Sequence, residues 1–163
     1  KKLGYVYQDV EIPWWNARPV LRPIPWIRTK QFKPPRINFP QILNSDITTL
    51  VERPGERMNK TEVLVIEDVE YDPTLPLHFD VLLNVGDEGK DVGPGNIEFV
   101  GTFTNIPHGH ETHEKTSLHF VITKDVYELG LEGDKDLVVK IVPNVNGDRI
   151  KIGGIKIQLE DVE

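Results

Sequence analysis

Residues 97–122 read IEFVGTFTNIPHGHETHEKTSLHFVI, and this stretch decides the predicted fold class. Apolar and polar side chains alternate on both sides of a polar loop, and a period of two is typical of half-buried β-strands. We therefore predict two strands that form a hairpin, with the loop at its tip. The residues predicted to share a face are Ile97, Phe99 and Phe103 on the first strand, and Leu118, Phe120 and Ile122 on the second.

The same pattern recurs from residue 61 onward. The most regular strand is predicted at Leu77–Val85, and the pair Asn146-Gly147 is a strong hairpin signal. Thr123 is predicted to cap a short helix over residues 124–129, which Gly130 ends. The fold is therefore predicted to be all-β, an antiparallel β-sandwich or jelly-roll-like barrel of about seven strands with one short helix. The predicted inward residues of the regular strand are Phe79, Val81, Leu83 and Val85.

Composition separates the first part of the chain from the rest. Residues 1–60 hold eight of the 13 prolines and all three tryptophans, with eleven Lys or Arg and five Asp or Glu. The remaining residues carry eight basic and 21 acidic side chains. Because proline removes backbone donors and breaks helices, residues 18–36 are predicted to be extended and irregular, with strands predicted at residues 3–12 and 47–52. Residues 54–60 are the predicted boundary before the β-rich domain.

Several functional classes are excluded by the residues themselves. The chain has no cysteine, which rules out disulfides, thiolate nucleophiles and cysteine-ligated metals. No apolar run approaches the roughly 20 residues of a membrane helix, so no membrane insertion is expected. The domain is strongly acidic, and the basic first part is interrupted by proline and has no platform for stacking bases, so no nucleic acid is expected. The serines Ser45 and Ser117 lie outside any nucleophile motif, and no catalytic residue is predicted in this chain.

Three histidines in the loop are the candidate metal ligands. His108, His110 and His113 lie within six residues, and imidazole is a good ligand for copper or zinc. The loop also contains a glycine and the acidic residues Glu111 and Glu114, as a solvated tip would. Surface histidines, a metal site and a pH-sensitive contact surface therefore all remain open, and the setting favours the first.

The sequence His78-Phe79-Asp80-Val81 introduces a family resemblance. It is similar to the Lys-Phe-Asp-Val motif that names the C-terminal domain of plant polyphenol oxidases, with histidine in place of the lysine. These enzymes are the binuclear copper family of catechol oxidases, tyrosinases and aurone synthase. Tyr5 and Tyr7 match the Tyr-x-Tyr motif that closes the preceding domain. The resemblance continues through residues 98–103, 105–108 and 153–157.

The resemblance implies a division of the chain and a partner. Residues 1–16 would end the preceding domain, residues 17–60 would form a proline-rich linker open to an activating protease, and residues 61–163 would be the C-terminal β-sandwich. In the family, two copper ions held by six histidines oxidise phenols or catechols to o-quinones. This chain has five histidines, so the resemblance assigns both copper ions to the parent's catalytic domain and no cofactor to this chain. It also implies a plastid location, in the thylakoid lumen.

In latent members of the family, the C-terminal domain shields the copper pocket until proteolysis. We predict that Ile106 is the blocking residue, because it is the lone aliphatic side chain at the loop's crest and Pro107 stiffens it. Asn105, Pro107 and His108 are predicted to complete the interface loop. Two alternatives are an independent metal- or ligand-binding module that uses the three loop histidines, and a domain that aids folding or transport of its parent.

Overall fold

The computed structural model describes residues 33–85 and 92–162, which form two antiparallel β-sheets packed face to face. The all-β sandwich prediction is confirmed. The described residues form nine strands where about seven were expected, and the two sheets do not close into a barrel. The elements are β1 (Gln41–Ile42), β2 (Ile47–Glu52), β3 (Lys60–Tyr71), β4 (Leu77–Leu83), β5 (Phe99–Asn105), β6 (Glu114–Val121), α1 (Thr123–Glu128), β7 (Asp136–Val145), a single 3-10 turn (Gly147–Arg149), β8 (Ile150–Ile152) and β9 (Gly154–Asp161).

The core lies between the two sheets. The first sheet has the order β1-β8-β3-β6, with β9 also paired to β3, and the second has the order β2-β7-β4-β5. Alternate residues of β3, β4 and β7 face inward, as the period of two requires. Fully buried members of this core are Leu64 and Ile66 from β3, Phe79, Val81 and Leu83 from β4, and Val139 and Ile141 from β7.

The strands predicted on either side of the loop exist, but they do not form a hairpin. β5 pairs with β4 in the second sheet, whereas β6 pairs with β3 in the first. The ring of Phe120 on β6 lies against Gly101 on β5, across the interior of the sandwich. The loop therefore crosses from one sheet to the other along an edge of the sandwich. Alternation in a sequence indicates which side chains are buried, and it does not indicate which strands pair.

A β-bulge changes the predicted faces of β5. The pairing shifts between Val81 and Leu82, so that Val100 is an extra residue in β5. Phe103 and Val100 pack on the main core, but Phe99 packs on the outer side of the sheet with Leu82. The prediction that Phe99 and Phe103 share a face is therefore wrong, because one inserted residue reverses the alternation.

Two asparagines with left-handed backbone conformations also alter predicted features. Asn84 has φ 59°, and after it Val85 joins the outer cluster instead of the core. Asn146 has φ 51° and begins the turn that links β7 in the second sheet to β8 in the first. The turn predicted at Asn146-Gly147 is therefore confirmed, but the prediction of a hairpin is wrong, because the turn connects strands of different sheets.

The short helix is confirmed, although its first residue has another role. α1 begins at Thr123, with Ile122 in the N-cap position and no side-chain cap. The Thr123 hydroxyl instead accepts a hydrogen bond from the backbone N–H of Glu62 at 2.9 Å. Gly130 has φ +69° and ends the helix, as predicted. No helix in the described ranges is long and apolar enough to cross a membrane.

Part of the predicted linker belongs to the sandwich. β2 is an edge strand of the second sheet, and its predicted strand character is confirmed. Before it, Ile37 and Phe39 pack on the main core, and the N–H of Ile37 donates to the Thr49 hydroxyl at 3.1 Å. The sandwich therefore starts earlier than residue 61. Residues 1–16, with Tyr5 and Tyr7, and residues 17–32 lie outside the described residues.

Candidate functional site

The connection between β5 and β6 presents one aliphatic side chain to solvent. Ile106 is 77% exposed, and Pro107 and His108 beside it are also exposed. The loop lies at the same end of the sandwich as residues 72–76, which connect β3 to β4. This arrangement gives the molecule an apolar contact point at one end of its two sheets.

Asn105 holds the base of this loop against the β3–β4 connection. Its side chain is inside the protein at 6% exposure, and its amide donates to the carbonyl oxygens of Pro73 at 3.1 Å and Leu75 at 2.7 Å. The backbone N–H of His108 donates to the same Pro73 carbonyl at 2.9 Å. Of the four residues predicted at the interface, Asn105 therefore points into its own domain, whereas Ile106, Pro107 and His108 face outward.

The β3–β4 connection is itself held by hydrogen bonds. One carboxylate oxygen of Asp72 accepts from the Thr74 hydroxyl at 2.5 Å and the Thr74 N–H at 2.9 Å, and these bonds lower the pKa of Asp72. The amide of Asn146 donates to the Pro76 carbonyl at 2.9 Å. Sequence reasoning missed this anchor, although Asp72-Pro73-Thr74 is a recognisable turn signal.

The far side of the loop is tied to β3 through Tyr71. Its hydroxyl donates to a carboxylate oxygen of Glu114 at 2.7 Å, and burial together with this partner raises the pKa of Tyr71 to about 12. The Tyr71 ring also meets Phe103 edge-on, with ring centroids 5.2 Å apart. Both ends of the loop are therefore fixed to the sandwich.

The three loop histidines are not brought together. Nδ1 of His108 lies 2.8 Å from the carbonyl oxygen of Ile106, and Nε2 of His113 lies 3.3 Å from Glu70. Partial burial raises the pKa of Glu70, but His113, Lys151 and Lys115 outweigh it, and the net effect is a lowered pKa. In the described ranges, which contain all five histidines, no group of three or more His, Cys, Asp or Glu is placed to hold a metal ion. These residues do not fit a copper site.

His78, the departure from the family motif, contacts two strands. Its Nε2 lies 3.0 Å from Asp80, and its Nδ1 lies 3.0 Å from the Thr104 hydroxyl on β5. The amide of Asn144 on β7 donates to the other Asp80 oxygen at 2.8 Å. The outward motif residues thus cross-link three strands next to the loop, whereas Phe79 between them is in the core.

The fold and the site define a two-sheet β-sandwich domain whose distinctive feature is one exposed loop fixed at both ends. Residues 39–159 match the family described as the chloroplastic polyphenol oxidase C-terminal domain, and residues 1–20 match the polyphenol oxidase middle domain. The chain belongs to the polyphenol oxidase family, and its sandwich is the C-terminal domain. The resemblance read from the motifs is confirmed.

Relatives agree with this assignment. The chain is 38% identical to polyphenol oxidase A1 of Vicia faba, over 98% of this chain and 31% of that protein. It is also 38% identical to aureusidin synthase of Antirrhinum majus, again over 98% of this chain and 31% of that protein. The structure of latent apple tyrosinase is similar with a TM-score of 0.73 and 34% identity, over 97% of this chain and 36% of that one. A latent aurone synthase gives a TM-score of 0.77 at 26% identity, over 98% and 33%. The chain spans about a third of the length of these proteins.

Proposed function

We propose that this domain keeps a polyphenol oxidase latent by covering the copper site of the enzyme's catalytic domain, with Ile106 in the substrate entrance. The observation that carries this proposal is the exposure of Ile106 on a loop whose two ends are fixed. The solved relatives are described as latent enzymes, which supports a shielding role for the shared domain. An apolar side chain on a loop that is held at both ends is suited to fill a pocket that otherwise receives a phenol ring.

The strength of one such contact limits what Ile106 does alone. Fully burying an aliphatic side chain stabilises by roughly 1.5–3 kcal/mol, so Ile106 excludes substrate locally and the wider interface holds the domain in place. In this proposal the domain contributes steric exclusion of substrate and water. The two copper ions belong to histidines of the catalytic domain and would supply the dioxygen-dependent oxidation of phenols or catechols to o-quinones.

Release of the shield requires a cut between the two parts of the parent protein. The division proposed from the sequence places the end of the middle domain at residues 1–16 and a linker from residue 17. Because residues 33–60 contain the segment packed on the core, β1 and β2, we place the activating cleavage between residues 17 and 32. Several relatives are named chloroplastic, which supports a plastid location for the parent. Within the plastid we propose the thylakoid lumen, on the family resemblance alone.

The test is the substitution of Ile106 in the full-length latent enzyme. The activity ratio is defined as the oxidase activity before protease treatment divided by the activity after complete activation. Ile106→Ala and Ile106→Asp are expected to raise this ratio, the second more strongly, because a carboxylate resists burial in an apolar pocket. The matched control is Val121→Ala, since Val121 is 63% exposed but lies at the other end of β6. An unchanged ratio in both Ile106 variants would contradict the proposed function.

A further inference from the structure

We propose that Asn105 is the positioning residue for Ile106. It sets the place of the blocking side chain without contacting the catalytic domain. This inference rests on the proposed function, and it assigns a role to a residue that the sequence suggested as part of the interface. The basis is a contrast between neighbours: Asn105 is 6% exposed, whereas Ile106 is 77% exposed.

The hydrogen bonds on either side of Ile106 converge on one carbonyl group. The amide of Asn105 donates to the Pro73 carbonyl from one side, and the N–H of His108 donates to it from the other. A second hydrogen of the Asn105 amide is directed to the Leu75 carbonyl at 2.7 Å. The backbone of Ile106 is therefore held between two anchored residues while its side chain extends into solvent.

The β3–β4 connection, which accepts the hydrogen bonds of Asn105, is itself held in place. Leu75 packs on the main core, and Asp72 closes the turn through Thr74. From a separate connection, Asn146 donates to the Pro76 carbonyl. The carbonyl groups that receive Asn105 are thus presented by a turn that is fixed to the core and to a second loop.

The chemistry of the position explains why asparagine suits it. Two neighbouring carbonyl oxygens need a short side chain with two N–H donors, which an amide provides. Aspartate has nearly the same shape but accepts hydrogen bonds only, so its carboxylate would face two carbonyl oxygens. Alanine would leave the Leu75 carbonyl without this donor and the Pro73 carbonyl with only the N–H of His108.

Hydrogen exchange in the full-length latent enzyme tests the positioning directly. Asn105→Ala and Asn105→Asp are expected to raise the exchange rate of the peptide over residues 106–113 about fivefold or more, because the bond from His108 to Pro73 opens more often. The matched control is Asn144→Ala, which removes the hydrogen bond from the Asn144 side-chain amide to Asp80 on the outer face of the sheet. Asn105→Ser, which keeps one donor, is the second variant if the first two fail to fold. Unchanged exchange over 106–113 in a folded Asn105 variant would overturn the proposal.

A double-mutant cycle on the activity ratio tests whether Asn105 acts through Ile106. Asn105→Ala is expected to raise the ratio when Ile106 is present and to add nothing to Ile106→Ala. An equal rise with and without Ile106, or no rise at all while Ile106→Ala raises the ratio, would overturn the inference. If neither Ile106→Ala nor Ile106→Asp changes the ratio, the proposed function fails, and the exchange rates still decide whether Asn105 positions the loop. The two failures are therefore distinguishable.

Discussion

At the scale of single residues, the packing between the edge strands β5 and β6 depends on a glycine. Gly101 on β5 faces the ring of Phe120 on β6, and a Cβ atom at Gly101 would lie 2.7 Å from that ring. The absence of a side chain lets Phe120 fill the space between the sheets. Phe103 lies nearby, with its ring centroid 5.2 Å from that of Phe79. Aromatic side chains therefore fill the space between the sheets at the edge where the loop lies, and Gly101 leaves room for one of them.

Gly101→Ala is therefore expected to destabilise the domain by about 1–3 kcal/mol, the usual range for overpacking a filled core. Urea unfolding of the wild type and the variant measures the difference. Gly55→Ala is the control, since a Cβ at Gly55 meets nothing within 4 Å. Adding Phe120→Leu to Gly101→Ala is expected to recover part of the loss. Equal stability of Gly101→Ala and wild type would contradict this account of the packing.

The sequence predicts the exposure of Ile106 but not what holds it. An isolated aliphatic residue next to proline in a polar loop predicts an exposed apolar side chain. The partners of Asn105 lie about thirty positions earlier in the chain, at Pro73 and Leu75, so no local pattern contains them. Local alternation assigns Phe99 to the wrong face for a related reason, since the bulge at Val100 exists only in the pairing with β4.

At the scale of elements, α1 contains a carboxylate in an unfavourable place. A negative charge in the first turn of a helix is normally stabilising by 0.3–1 kcal/mol. Burial, with the nearby charge of Glu128, nevertheless raises the pKa of Asp125 to about 6. A rise of this size from 3.8 corresponds to about 2–3 kcal/mol against the charged form, so burial outweighs the helix dipole.

This shift predicts a pH dependence of stability. Because the pKa of Asp125 is higher in the folded state, its contribution is fully present below about pH 4 and is lost as the pH rises through about 6. Asp125→Asn is expected to unfold like the wild type at pH 4 and to be more stable by about 1–3 kcal/mol at pH 7. Urea unfolding at several pH values measures this. Asp148→Asn, at an exposed carboxylate, should show no such divergence. A constant difference between Asp125→Asn and wild type over this range would refute the assignment.

The segment before β2 shows a limit of reading elements from composition. Proline content in residues 17–60 predicts an extended chain, and Ile37 and Phe39 belong to no helix or strand, but they pack on the main core. Together with residues of β2 and Ile157 of β9, they line a groove beside this segment. Composition distinguishes extended from helical segments, but it does not distinguish a free linker from one that packs on a sheet edge.

At the scale of the whole molecule, a buried ion pair joins the two sheets at the end opposite the loop. Arg53 follows β2 in the second sheet and contacts Glu62 of β3 in the first, with Nε 3.0 Å from one carboxylate oxygen and Nη2 2.5 Å from the other. Both residues are 5% exposed. The remaining guanidinium nitrogen donates to the carbonyls of Leu131, Glu132 and Asp134. One cation thus joins three parts of the chain.

Arg53→Met is expected to destabilise the domain by about 3–5 kcal/mol, because it leaves the Glu62 carboxylate buried without its partner. Adding Glu62→Leu should recover much of this loss, since an apolar pair removes the buried charge. Chemical unfolding of the two variants measures the difference. Arg149→Ala is the control, because that ion pair is exposed and expected to contribute less than about 1 kcal/mol. A small effect of Arg53→Met alone would show that the pair does not hold the sheets together.

The sequence predicts where most strands lie, but it does not predict which strands pair or how the two sheets are connected. Strand positions, the helix and the absence of a catalytic motif follow from local patterns, as do the family motifs at residues 78–81. The assignment of β5 and β6 to different sheets depends on pairings with β4 and β3, which are nonlocal. For the same reason, local alternation predicts the loop as the tip of a hairpin, whereas the loop connects the two sheets.

The order of strands in the second sheet has a mechanical consequence. The described chain enters beside β2 at one edge, and Ile106 leaves from β5 at the other, three strand spacings or about 14 Å away. In the proposed latent enzyme, the point where the linker would join the domain and the point where Ile106 would dock therefore lie on opposite edges of one sheet. We expect that shortening the proposed linker at residues 17–32 changes the activity ratio even when every residue of the loop is intact.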